Sequence, residues 1–113
     1  MSESELIPTD GISIQCSGSQ IRSEIRAQAI KRPERTKSGD YLYDNTRGGG
    51  FSLAKAHFDK MPGNYYIDES TYIKQDPITK TRTILYRSTS EKKWTLSHPH
   101  LENTKYKDKI RYD

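Results

Sequence analysis

Apolar residues recur along this chain with two periods, and the change from one to the other divides it. Between Ser19 and Arg32, Ile21, Ile25 and Ala29 come every four residues, with Ile30 beside the last and Arg22, Glu24, Arg26 and Gln28 on the other faces. Residues at i and i+4 stack on one side of an α-helix, so the spacing predicts an amphipathic helix over 19–32. Pro33 should end it, because proline lacks an amide hydrogen and restricts the residue before it. A second stripe, Phe51, Ala54, Phe58 and Met61, predicts a helix over 51–61, closed by Pro62 and Gly63.

Beyond Gly63 the period shortens to two. Runs at 64–68, 71–75, 81–88, 93–98 and 108–113 read as strands, with Asp76 to Lys80 as a turn. In 81–88 both alternating sets carry apolar groups, so the register is not fixed by pattern. Trp94 and Leu96 oppose Thr95 and Ser97, and Ile110 and Tyr112 oppose Lys109 and Arg111. The expected fold class is α+β, with N-terminal helices packed on a curved antiparallel β-sheet of about four to five strands.

Two stretches carry little periodicity. Residues 1–19, rich in Ser, Gly, Asp and Glu, read as a flexible lead or linker, leaving 20–113 as a single domain. Residues 33–50 mix charges with the turn formers Ser38, Gly39 and Asp40, the apolar Tyr41, Leu42 and Tyr43, and a closing Gly48-Gly49-Gly50. RGGGFSLAK lacks the Gly-Lys-Ser/Thr ending of a phosphate-cradling loop, so these glycines serve to turn the chain into the helix that follows.

Composition alters this picture in two ways. The apolar fraction is 31%, low for a packed domain, but eight Tyr, two Phe and one Trp add amphipathic bulk to a thin core. Net charge is +4, and residues 1–50 balance seven Lys/Arg against seven Asp/Glu while 51–113 hold twelve against eight. The excess therefore sits on the predicted sheet, which suggests an anionic partner such as nucleic acid or an acidic protein. Cys16 is the only cysteine, so an intrachain disulfide and a cysteine-rich zinc site are both excluded. No run approaches the length of a membrane span, and the start MSESEL has no signal-peptide character.

The residue types on the last three strands suit phosphate chemistry. RNA cleavage without a metal needs a base for the ribose 2′-hydroxyl, an acid for the departing 5′-oxygen, and cations for the charge on phosphorus. Arg87, Lys109 and Arg111 can hold that charge, and Ser88, Ser90 and Thr95 can donate hydrogen bonds to phosphate oxygens. His57, His98 or His100 can carry protons, with Tyr112 orienting or donating. Each also has a plainer reading: His57 as a packing residue beside the apolar stripe, Thr95 as a strand former, Arg111 as a surface charge. Lys55 and Asp59 form a helical i, i+4 pair. The His98-Pro99-His100 pair lacks a carboxylate or Cys at ligand spacing, so neither metal nor cofactor is expected.

Over roughly 48–112, the order GGGFSLAKAHFDKMPG, a hairpin, LYRSTSEKKWTL and a closing KIRYD resembles the C-terminal toxin modules of bacterial contact-dependent inhibition and related polymorphic toxin systems. These are similar to the barnase, EndoU, colicin and RelE-like ribonucleases, in which helices precede a curved sheet whose concave face carries the active site. Trp94 and Ser97 depart from the Pro and Glu that the pattern favours. The resemblance implies metal-independent cleavage of RNA, often tRNA, and a cognate immunity protein as partner. It also implies delivery as part of a larger secreted or cell-surface toxin that acts in the target-cell cytoplasm. Carried onto this chain, it points to Arg87, Thr95, Arg111 and Tyr112 as catalytic, with His57 added on chemical grounds, and to Lys55, Ser88, Ser90 and Lys109 as substrate-binding. The competing expectation is a non-catalytic RNA-binding module that stacks bases on exposed Tyr residues.

Overall fold

The computed structural model describes residues 10–113, with side chains from residue 18 onward. Two helices, α1 (Asp10–Ala27) and α2 (Gly50–Lys60), accompany seven strands: β1 (Ala29–Arg35), β2 (Tyr41–Asn45), β3 (Asn64–Asp68), β4 (Thr71–Gln75), β5 (Arg82–Arg87), β6 (Trp94–Pro99) and β7 (Lys107–Tyr112). All seven strands join one sheet in the order β1-β2-β7-β6-β5-β4-β3. Neighbours pair antiparallel except β2 and β7, which run parallel.

This corrects the expected antiparallel sheet of about four to five strands under N-terminal helices. The sheet has seven strands and is mixed, and its two extra strands come from 28–45, where a helix end and a loop were expected. Ala29 and Ile30 continue the four-residue stripe, yet the helix stops at Ala27 and the chain turns back as an edge strand. Pro33 is accommodated because the register of β1 against β2 shifts between Lys31 and Arg35, and an edge strand at a bulge can forgo an amide donor. Tyr41-Leu42-Tyr43 shows no alternation because both faces of β2 are covered: Leu42 and Tyr43 are both buried. The start of α1 at Asp10 takes in part of the expected lead, whose first nine residues lie outside the described ones.

Strand alternation sorts the two faces. A row of paired side chains, Tyr72, Leu85, Leu96, Ile110 and Tyr43, crosses five strands. Onto it α2 lays Ala54 and Phe58, and α1 adds Ile25, making the core cluster. Leu85, Leu96, Ile110 and Phe58 have no exposed surface, each contributing about 1.5–3 kcal/mol by burial. The next row on the opposite face runs Ile73, Ile84, Ser97, Lys109 and Leu42, a mixture of apolar and polar groups.

Polar contacts fasten α1 to the far end of the sheet. Arg22 donates to the Pro99 carbonyl at 3.0 Å, and Arg26 grips Glu102 at 3.0 and 3.1 Å and reaches Asp108 at 3.5 Å. Among the described residues no helix is long and apolar enough to cross a membrane.

Candidate functional site

One end of the sheet gathers most of the candidates. There the end of β5, the start of β6, the end of β7 and the first turn of α2 meet around a cleft of about 540 Å³, lined by Gly50, Arg87, Glu91, Lys92, Lys93, Trp94, Tyr112 and Asp113. The local chain explains this. Gly49 holds φ at 91° and Gly50 at 48°, values that glycine tolerates without strain, so α2 starts abruptly and the Gly50 amide donates to the Asp113 carbonyl. Between β5 and β6 the chain doubles back through a turn closed by Ser88 and Lys93, whose backbones bond at 2.8 Å.

Behind the cleft wall, His57 from α2 meets Tyr112 from β7, with 2.6 Å between His57 Nδ1 and the phenol oxygen. Burial, then Lys60 and Arg47, push the imidazole below its ordinary pKa, so His57 is neutral at pH 7. Burial pushes the Tyr112 phenol up, so it stays protonated. A neutral imidazole accepting at Nδ1 and a protonated phenol donating to it are therefore the compatible pair.

Thr95 and Arg111 also meet, but on the other side of the sheet, because they alternate with Trp94 and Tyr112. Arg111 Nη1 donates to Thr95 Oγ1 at 2.7 Å, and its Nε lies 3.4 Å from Glu91. Glu91 is gripped in turn by Arg32, which bonds both of its oxygens at 2.8 and 2.9 Å and both oxygens of Asp44 at 2.6 and 2.9 Å. These arginine contacts hold the Asp44 and Glu91 carboxyls below the usual range. Thr95 is wholly buried and donates its hydroxyl to the Lys93 carbonyl at 3.2 Å. The pair therefore braces the turn that carries Glu91, Lys92 and Lys93.

The remaining candidates divide further. Arg87 is exposed on the cleft rim, its Nε donating to the Lys92 carbonyl at 3.2 Å. Ser88 is buried and accepts from the Lys93 amide at 3.4 Å, while Ser90 is exposed on the same turn. Lys109, on the opposite face, lies 3.6 Å from Asp40 and over the Tyr86 ring. Lys55 lies at the flank of α2, its ammonium over the Tyr72 ring and bonded to Asp59 at 2.9 and 3.2 Å, and takes no part in the cleft. His98 and His100 lie at the far end: His98 Nδ1 is 3.3 Å from the Pro99 carbonyl, and His100 bonds Asp108 at 2.6 Å. Among the described residues no group of three or more His, Cys, Asp or Glu could hold a metal.

Sequence reasoning missed Lys92, Lys93 and Glu91. The adjacent lysines opening a strand were a usable signal. Glu91 had none, since its role depends on Arg32 arriving from β1, 59 residues away. Comparison of the chain with family models, curated proteins and solved structures returns no match, so these contacts stand without a relative to name them.

Proposed function

We propose that this chain is a bacterial toxin ribonuclease, cleaving RNA by metal-independent transesterification in the cleft at the end of its sheet. The observation that carries the reading is the buried His57–Tyr112 contact of 2.6 Å directly behind a cleft that Tyr112 lines with Arg87, Lys92 and Lys93. In the reaction the 2′-oxygen bonds to phosphorus and the bond from phosphorus to the 5′-oxygen breaks. The phenol is buried in the resting fold, 1% exposed, so the cleft wall must open for Tyr112 to take the 2′-hydroxyl proton as it passes its own to His57 Nδ1; the reverse transfer delivers a proton to the 5′-oxygen. The proton count balances within the pair, leaving a 2′,3′-cyclic phosphate and a 5′-hydroxyl. Arg87, Lys92 and Lys93 hold the phosphate by charge-assisted hydrogen bonds. Arg111 and Thr95 are positioning residues that brace the turn. tRNA is the proposed substrate, a cognate immunity protein the proposed antagonist, and the target-cell cytoplasm the proposed site of action after delivery on a larger toxin.

The test is purified protein incubated with total tRNA and with mRNA in EDTA, followed by mapping of product ends. Cyclic phosphate ends are expected, with the rate falling roughly 10²- to 10⁴-fold in Tyr112→Phe while the thermal melt stays cooperative. Intact RNA with the wild-type protein would sink the proposal. Salt-sensitive retention of uncut RNA would favour the binding-module alternative instead.

A further inference from the structure

The two edges of the sheet are built differently. Edge strand β1 is interrupted by Pro33 and a register shift and carries Lys31, Arg32 and Arg35, the features that keep an edge from pairing. Edge strand β3 has no proline, no register shift and no cation, and its one charge, Asp68, stands at its end. It pairs with β4 in unbroken register over all five residues, and Tyr65, Tyr66 and Ile67 are 51%, 38% and 55% exposed. An unblocked edge of apolar residues presents free amides and carbonyls to another strand.

We propose that β3 pairs antiparallel with β3 of a second copy of this chain, about a two-fold axis through Tyr66. The sequence Asn64-Tyr65-Tyr66-Ile67-Asp68 is self-complementary about its centre. A two-fold there sets Tyr65 opposite Ile67 of the partner on the helix-bearing face. On the other face it sets Tyr66 opposite its own copy and Asn64 opposite Asp68, so the only charged residue of the strand meets an amide donor and no like charges oppose. The same axis keeps inward- and outward-bonding residues in phase along both strands. A two-fold contact uses one patch on each copy and closes on itself, and the blocked β1 edge prevents growth at the far side. A strand of five residues spans only about 17 Å, so association is weak and rises with concentration. The inference is independent of the ribonuclease reading.

Sedimentation across a range of protein concentrations tests it. A monomer–dimer equilibrium is expected, weakened roughly tenfold in Ile67→Lys and in Tyr65→Glu, each of which spoils two symmetric cross-strand pairs. Mixing the two variants should restore association, because the two-fold register sets the new carboxylate against the new ammonium. Both positions are more than half exposed, and a cooperative melt of each variant checks the fold, Tyr65→Glu also giving up the ring contacts with Phe58 and Tyr72. A monomer at every concentration, a dimer indifferent to Ile67→Lys, or a mixture that fails to recover would each overturn the proposal.

Discussion

His98 shows how one buried side chain makes the molecule sensitive to pH. It lies in β6 opposite Asp108, 1% exposed, and among the described residues its Nε2 has no hydrogen-bond partner. Burial pushes its pKa down to about 4, the nearby Asp108 opposing and Arg22 and Arg26 adding to the shift. A histidine held below its unfolded value binds fewer protons folded than unfolded, so stability is full above about pH 6.5 and is lost as pH falls toward 4. The loss is about 3 kcal/mol at most by linkage. Urea midpoints at pH 7 and pH 4.5 should therefore differ less in His98→Asn than in the wild type. Asp44, Glu91 and Glu102, whose pKa values are lowered by arginines, lose their contribution only at more acid pH, which separates the two effects. Equal pH dependence in the variant would remove His98 from the account. Nothing in His98-Pro99-His100 announced that one ring is buried with only Nδ1 near a partner while the other bonds a buried carboxylate.

Among the elements, the start of β3 depends on one glycine. Gly63 holds φ at 130°, and a Cβ there would stand 2.8 Å from the Gln75 carbonyl carbon and 3.0 Å from the Asp76 nitrogen. Gly63→Ala should therefore cost roughly 1–3 kcal/mol, read as a lower urea midpoint, and an unmoved midpoint would mean the close approach is dispensable. Helix α2 and the five strands after it were legible because apolar spacing and flanking turn formers mark each within a dozen residues, although β5 carries apolar groups on both alternating sets. Strands β1 and β2 were not. Ala29 and Ile30 fit a helical stripe as well as a strand, and Pro33 reads as a helix stop unless the chain is known to run along an edge. The parallel contact of β2 with β7 joins residues more than sixty positions apart, a separation at which no local pattern speaks.

For the molecule as a whole, the basic excess of the second half matters where it is concentrated. Arg87, Lys92 and Lys93 line one cleft together with the carboxylates of Glu91 and Asp113; Glu91 is held by Arg32 and Asp113 lies 3.0 Å from Lys93. Binding of single-stranded RNA that neutralises about three phosphates should give a slope of log K against log salt of roughly −2. Lys92→Ala should reduce that slope by about 0.7, measured by filter retention with the uncleaving Tyr112→Phe protein. A slope near zero would remove the cleft as the nucleic-acid surface. Of the candidate site, the residue types were legible and their grouping was not. Tyr112 and His57 come together, Thr95 and Arg111 come together, and the sheet stands between the two pairs.

By itself the sequence determined which stretches are amphipathic, where strands alternate, that the second half is basic, and that no cysteine chemistry links the chain, because these depend on neighbours within a turn or a hairpin. Only the tertiary structure decided that Arg32 would clamp Glu91, that His57 would find Tyr112, and which edge of the sheet is left open. Those are contacts between residues far apart in sequence, set by strand order and by the alternation of side chains across a shared sheet.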